Sequence, residues 1–368
     1  MRIGITGVEG LLGWHTRCFL HTRPDVVVVG ADRQTFANVT GLDDFVRQCD
    51  WIIHLAGMNR GDDNEIYATN VQLTEMLVSA CERGKVVPHI VFSSSAHIAR
   101  DTPYARSKRR CAEILEAWSR ASGGMFTNLV IPNVFGEGGK PFYNSVVSTF
   151  CHQLANHETP RIIQDTTNEL IHAQHVASEM CSVLTQGEVG EKWLKGHALS
   201  VSLLLEKLSG FKNQYEHQIV PDLRNPFNLS LFNTYRSYLF PHRYPFRPTL
   251  HADARGRLFE AVKGHTGGQC FISTTRSGIT RGNHYHLRKV ERFCVIQGEA
   301  IIRIRKLFGS AILEFPVSGK EPQFIDMPTM HTHNITNVGS GELITLFWSN
   351  EIFDPQDPDT YSEQVQGG

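Results

Sequence analysis

Met1-Arg-Ile-Gly-Ile-Thr6-Gly7-Val-Glu-Gly10-Leu11-Leu12-Gly13-Trp14 opens the chain and decides the reading of its first half. Met1 to Thr6 reads as a short buried strand, Gly7 to Gly13 as a turn, and Trp14 to Leu20 as the body of a helix. Glycines in this order allow a tight turn, close backbone approach to a phosphate, and close packing of helix on strand. The helix N-terminus, with its unpaired N–H groups, then faces the phosphates. A second strand, Val26 to Gly30, ends at Asp32. That is about twenty residues on, where a group contacting a ribose belongs.

Trp51-Ile-Ile-His54-Leu55-Ala56-Gly57 reads as another buried strand ending in a small-residue turn, and Asn70 lies in the helix that follows. Val87 to Ser95 makes a further strand with Ser93, Ser94 and Ser95 at its C-terminal end. Ligands of open α/β sheets bind at that end. Tyr104-Ala-Arg-Ser-Lys108 begins an amphipathic helix running to about Ser119. Tyr and Lys at i and i+4 share one helix face. A phenol with a pKa of about 10 is a poor proton shuttle at neutral pH, and a nearby cation lowers it.

Together TGxxGxxG, HLAG, Asn70, the serine run and YxxxK resemble the extended short-chain dehydrogenase/reductases, and Pro132-Asn-Val-Phe-Gly136 is similar to their sugar-nucleotide members. The resemblance covers roughly residues 1 to 240. It implies a doubly wound parallel sheet and a bound NADPH. Gly7, Gly10, Leu11, Leu12, Gly13, Asp32, Arg33, Leu55, Ala56, Gly57, Asn70 and Lys108 would line that cofactor. It also implies catalysis by Tyr104, Lys108 and Ser95, the last matching the family's hydroxyl better than Ser94. Asp32 alone favours NADH, because a carboxylate accepts from the ribose 2′-hydroxyl and repels a 2′-phosphate. Arg33 follows at once and can pair a phosphate bidentately. With the family's habit, the choice is NADPH.

The second half has a different texture. Pro241, Pro245 and Pro248 mark an extended connection, and short strands punctuated by glycine and turns follow it. This argues an all-β barrel or sandwich, with domains at 1–244 and 245–368. Within it, Gly278-x5-His284-Tyr285-His286-x4-Glu291-x6-Gly298 precedes Pro328-x4-His333. Two His at i and i+2 share a strand face. Three imidazoles and a carboxylate suit zinc, or another divalent metal such as iron, nickel or manganese. The spacing resembles the two metal-binding motifs of the cupin family, and implies a ligand set of His284, His286, Glu291 and His333. Met330 stands where that second motif usually carries Gly, so the turn before His333 is expected to differ.

Composition agrees with a two-domain soluble protein. The 368 residues include 36 basic and 37 acidic ones, so no charge excess points to nucleic acid or a membrane surface. The 8 cysteines form no CxxC pair and read as buried thiols of a reduced compartment. No leader and no run of membrane-spanning length is evident, which makes a cytoplasmic location the expectation.

A reductase joined to a metal cupin resembles the bifunctional enzymes of capsular-polysaccharide synthesis, and the segments Lys140-Pro-Phe-Tyr-Asn-Ser145 and Asn350 to Tyr361 carry the likeness further. It implies that the cupin inverts C3 of a UDP-2-acetamido-2,6-dideoxy-4-hexulose. The other half then reduces C4 with NADPH, giving UDP-2-acetamido-2,6-dideoxy-L-talose, a precursor of the L-FucNAc nucleotide. The order follows from chemistry: a C3 proton is acidic only while C4 is a ketone. The metal would act as a Lewis acid or only pin the fold. The C3 base stays open among His331, Tyr285 and Lys289. Cupins commonly pair, so a homodimer through the second domain is expected. Two other classes remain: a single-function epimerase or dehydratase with a binding cupin, and a non-catalytic NADP-binding scaffold. Ala96-His97 after Ser95, where dehydratases place acids, weighs against dehydration, and the intact YxxxK against a scaffold.

Overall fold

The computed structural model describes residues 1–265 and 267–366. They divide into two compact units, one of Met1–Thr149 with Ile162–Leu203, the other of Phe150–Arg161 with the chain from Leu204 on.

In the first unit, strands β1 (Arg2–Thr6), β2 (Val27–Ala31), β3 (Trp51–His54), β4 (His89–Ser95), β5 (Phe126–Ile131) and β6 (Gly190–Trp193) form one sheet in the order β2-β1-β3-β4-β5-β6. Every pairing is parallel. Helices α1 (Leu11–Leu20) and α4 (Ala173–Gln186) cover one face; α2 (Asp63–Gly84) and α3 (Pro103–Ser122) cover the other. Helices on both faces leave all seven residues of β4 buried, the apolar Ile90-Val91-Phe92 and the polar ends alike. The chain leaves β1 for β2 on one side and returns to β3 on the other. The crevice of this doubly wound sheet therefore opens between the ends of β1 and β3.

Local chemistry sets the helix ends. Thr102 caps α3, its Oγ1 accepting from Ala105 N at 3.2 Å, and Pro103 occupies the first turn. The helix continues past Ser119 to Ser122 because Gly123, at φ 76°, supplies a left-handed stop. Helix α1 starts at Leu11, three residues before Trp14, so Leu11 and Leu12 lie in its first turn.

The second unit is mostly antiparallel. Strands β7 (Gln269–Thr275), β8 (Thr280–Tyr285), β9 (Glu291–Gln297), β10 (Glu299–Lys306), β11 (Ile312–Ser318), β12 (Phe324–Met327), β13 (His331–Asn337), β14 (Leu343–Ser349) and β15 (Tyr361–Ser362) build two sheets. Their orders are β7-β14-β9-β12 and β11-β10-β13-β8-β15. Both sheets contribute to one apolar core, with Phe293, Ile325 and Phe347 from the first and Ile302, Ile304 and Ile335 from the second. Along Ile302-Arg303-Ile304-Arg305 the alternation of apolar and basic residues suggests one buried and one wet face, but only Arg303 is partly exposed: Arg305 is buried like the isoleucines, its guanidinium donating to Val365 O at 2.9 Å.

Residues 204–244, expected with the first domain, group instead with these strands. Phe240 and Tyr244 pack on the β core. Tyr215 in helix α5 (Val201–Glu216) donates its hydroxyl to Asp326 at 2.6 Å, and Asn233 in helix α6 (Pro226–Ser237) donates to Arg288 O at 2.6 Å. Aromatic and polar residues alternate along 213–238 because this stretch packs on a sheet through buried polar bonds.

Asp326 also takes two bonds from the buried Arg292 guanidinium, at 2.6 and 2.8 Å. Removing one partner of such a pair strands the other charge. Asp326→Ala should therefore lower unfolding stability by about 3–5 kcal/mol, seen as a lower urea midpoint. The double replacement Arg292→Met with Asp326→Leu should cost less, since it strands no partner charge of that pair and leaves only the Tyr215 hydroxyl without its acceptor. A single variant as stable as the native chain would remove the pair from the account. Among the described residues, no helix is long and apolar enough to cross a membrane.

Candidate functional site

At the end of β1 the backbone turns at Gly7, φ 69°, and a Cβ there would lie 2.8 Å from Ala56 N. A Cβ on Gly13 would lie 2.3 Å from Gly7 O, so the helix sits directly on the turn. Gly10 caps α1 with no side chain, which leaves the first N–H groups of the helix without a side-chain acceptor. This glycine cradle fits a phosphate. Asp32, after β2, caps the short helix Arg33–Ala37: Oδ1 accepts from Thr35 N and Thr35 Oγ1, both at 2.9 Å. These two bonds hold its carboxyl below the usual range.

A buried polar chain not foreseen from the sequence supports the cradle. Thr6 Oγ1 accepts from Leu55 N and Ala56 N, both at 3.1 Å, and hydrogen-bonds His54 Nδ1 at 2.7 Å. The opposite ring nitrogen of His54 lies 3.3 Å from Thr74 Oγ1, which donates to Asn70 O at 3.1 Å. Burial pushes His54 down to about 3, so the ring is neutral. Asn70, expected against the cofactor, is itself buried with both ends of its amide engaged. Oδ1 accepts from Met58 N at 2.6 Å, and Nδ2 donates to Met58 O and Ser107 Oγ, each at 2.9 Å. It braces the loop after β3 to helix α3. A Thr at the end of β1 opposite a His at the end of β3 was the available signal.

Tyr104 and Lys108 lie one turn apart on α3, with Lys108 Nζ 5.7 Å from the phenol ring centroid. The ammonium donates to Ser93 O at 2.7 Å and lies 4.6 Å from the centroid of the Phe92 ring. A Cβ on Gly57 would be 3.9 Å from it, which puts Lys108 at the crevice. The expected lowering of the phenol is absent. Burial pushes Tyr104 up to about 12 and Lys108 down to about 8. Strand β4 ends at Ser95, as expected. Ser95 Oγ accepts from His97 N at 3.2 Å, whereas Ser94 Oγ is buried and has no hydrogen-bond partner.

In the second unit, His284, His286, Glu291 and His333 offer ligand atoms that all lie within 4.8 Å of one another. Glu291 Oε2 is 3.1 Å from His286 Nε2, 3.4 Å from His333 Nε2 and 3.8 Å from His284 Nε2. His284 lies on β8 and His286 just past its end, two residues on, and register pairs His284 with His333 on β13. Glu291 comes from β9 in the other sheet, reached by residues 287–290 crossing between sheets. His286 Nδ1 bonds Asp359 O at 2.5 Å and His333 Nδ1 bonds His331 O at 3.2 Å. A carbonyl can only accept, so each ring carries its proton on Nδ1 and turns the Nε2 lone pair to the common centre. His333 Nε2 is buried and has no hydrogen-bond partner. Such an orphaned acceptor beside a carboxylate and two more imidazoles fits a divalent cation. With no cation in the cluster, burial works against ionising Glu291, yet a protonated His286 beside it holds its carboxyl well below the usual range; with a cation at the centre the rings face it as neutral acceptors.

Met330, before His333, takes a left-handed backbone, φ 57°, of the kind glycine favours. Cys294 stands outside the cluster, and burial pushes its thiol up to about 12. Of the three candidate bases, Tyr285 faces away from the ligands and lies against Tyr361, ring centroids 5.3 Å apart. Lys289 Nζ donates to Pro358 O at 2.7 Å. His331, two residues before His333 on β13, shares the ligands' side of that strand.

The chain matches the NAD dependent epimerase/dehydratase family over residues 3–196 and the polysaccharide biosynthesis C-terminal domain over residues 251–361. It is 31% identical to the UDP-2-acetamido-2,6-beta-L-arabino-hexul-4-ose reductase of Pseudomonas aeruginosa, covering 100% of both chains. The structure of the capsular polysaccharide assembling protein CapF from Staphylococcus aureus is similar at 32% identity and TM-score 0.65, over 99% of this chain and 100% of that one. The UDP-N-acetylglucosamine 4-epimerase of Methanobrevibacter ruminantium shares the fold at 18% identity and TM-score 0.56, over 65% of this chain and 98% of its own.

Proposed function

The chain belongs to the NAD dependent epimerase/dehydratase family, and we propose that it is a nucleotide-sugar 4-keto reductase of capsular-polysaccharide synthesis whose second unit is a cupin with 3-epimerase activity. Its substrate is a UDP-2-acetamido-2,6-dideoxy-4-hexulose and its product UDP-2-acetamido-2,6-dideoxy-L-talose. The reading rests above all on one observation: a Tyr104–Lys108 pair and a three-His, one-Glu cluster occur in the same chain, each folded into a compact unit of its own.

Bound nicotinamide supplies the hydride. The Gly7–Gly13 cradle would hold its phosphates, and Lys108 would bind its ribose. Tyr104, kept protonated by burial, gives its proton to the C4 oxygen as that oxygen gains charge. Ser95 orients the same oxygen. In the second unit, a divalent ion, zinc by ligand type, held by His284, His286, Glu291 and His333, supplies Lewis acidity. His331 is the base its position favours. Phe271 and Ile272 stand exposed on β7, the edge strand of one sheet, which supports pairing with a second copy through this unit.

The cofactor is NADPH in this reading. Asp32 caps a helix through Thr35, which leaves the neighbouring Arg33 to meet a 2′-phosphate. Arg33→Ala should raise KM for NADPH about tenfold or more, one charge-assisted pair being worth about 1.5–3 kcal/mol, and barely alter NADH. A native enzyme with higher kcat/KM for NADH would put Asp32 on the ribose. The test of the whole reading is incubation with a UDP-4-keto-6-deoxy-hexosamine in deuterated water, with and without NADPH. Deuterium should enter C3 without NADPH, and C4 should be reduced only with it. A substrate reduced with no C3 exchange would leave a single-function reductase.

A further inference from the structure

Residues 287–290 carry the chain from His286 in one sheet to Glu291 in the other, and their amides have no strand ladder to join. Each instead ends on a side chain from a segment some sixty to seventy residues later. Asp359 Oδ1 accepts from Leu287 N at 3.0 Å, and Oδ2 accepts from Arg288 N at 3.0 Å and Lys289 N at 2.7 Å. Asn350 Oδ1 accepts from Val290 N at 2.8 Å. Asp359 also receives the His286 Nδ1 proton on its backbone carbonyl, at 2.5 Å. It is 1% exposed and held at φ 40°, a left-handed backbone uncommon outside glycine that Asp adopts more readily than most residues. Strand β15, starting two residues later, pairs Tyr361 with Tyr285 and Ser362 with His284.

Taking the metal reading above as its premise, we infer that Asp359 is a positioning residue for the ion. Its carboxylate fixes the crossing loop and its carbonyl fixes the ring of His286, so that His286 and Glu291 converge on one point. The geometry favours a role beyond stability, because a single residue grips both the loop between two ligands and one ligand's outer nitrogen. Outer partners of this kind orient a ligand and set which nitrogen faces the metal. Coupling is reciprocal: if the clamp tightens metal binding, metal must tighten the clamp.

The experiment compares metal-free full-length native chain with Asp359→Asn, titrated with Zn2+ against a chromophoric chelator. Asn keeps the volume but replaces one acceptor oxygen with a donor, so in either orientation at least one amide of the loop, that of Leu287 in the better one, loses its acceptor and meets an N–H. Affinity should fall about 10–100-fold, while the metal-free variant keeps the native circular dichroism spectrum and melting midpoint. Equal affinities within twofold would overturn the inference and leave the metal reading intact. A native chain that binds no Zn2+ overturns the metal reading itself. Should Asp359→Asn not fold, hydrogen exchange on the native chain decides: Zn2+ should slow the amides of 287–290 about tenfold or more. No slowing would mean that the clamp and the ion are independent.

Discussion

Tyr104→Phe should reduce NADPH-dependent turnover of the keto-sugar by about 10²–10⁴-fold, the usual worth of a positioned general acid, while C3 exchange continues at the native rate. The substitution removes one oxygen from the start of α3 and keeps the ring, so the fold loses little. On the proposed mechanism reduction suffers because Tyr104, the phenol beside Lys108, protonates the oxygen that gains charge at C4. C3 exchange is unaffected because the His/Glu cluster belongs to a different compact unit. The pH profile should carry the same signature. Burial raises the phenol to about 12, so the acid form persists through neutrality and sets no limb there. Burial lowers Lys108 to about 8, so its charge is present below that pH and lost as pH rises through it. In the native enzyme kcat/KM for the cofactor should therefore decline above about pH 8, and Lys108→Arg, whose guanidinium stays charged, should lose that limb. Exchange that dies with Tyr104 in a folded protein would overturn the two-site reading.

How far the sequence carried this result depended on whether a signal was local. The glycine turn, the strand-end serine and the Tyr–Lys pair are all set by spacing along one strand, turn or helix, and the structure brings them to the ends of β1, β3 and β4. The His284–His286 face follows from strand periodicity alone, and Glu291 joins it because a crossing loop of four residues separates the two sheets. What stayed hidden depends on partners distant in sequence. Asn70 has the residue type of a cofactor contact, yet Met58 and Ser107 take its amide. The pKa of Tyr104 follows burial, which spacing does not report, so the cation expected to lower the phenol loses to desolvation. Residues 204–244 read as part of the first domain until Tyr215 and Asn233 are seen bonded to Asp326 and Arg288. Asp359 gave no sign at all, since its partners lie about seventy residues upstream.

Glu291→Ala should remove the ion and lower C3 exchange by more than about 100-fold, because even outer-shell partners of a metal are worth 10–100-fold. Glu291 Oε2 lies within 4 Å of all three imidazole nitrogens, at 3.1, 3.4 and 3.8 Å. It is also the only anion in the set, so without it three neutral rings face a dication with no charge to offset it. Reduction should survive when the enzyme is given a 4-keto substrate already inverted at C3, since no step at C4 involves this cluster. His284→Ala, His286→Ala and His333→Ala should each lose metal as well. His284, the most exposed of the three rings, should lose least, because water can enter at its place. Elemental analysis of the four purified variants reads metal content directly, and solvent deuterium at C3 reads the chemistry. Zinc retained in all four would sink the ligand assignment. Zinc lost with exchange intact would leave the ion a structural pin, and the C3 chemistry would then fall to the protein's own bases, His331 first among them.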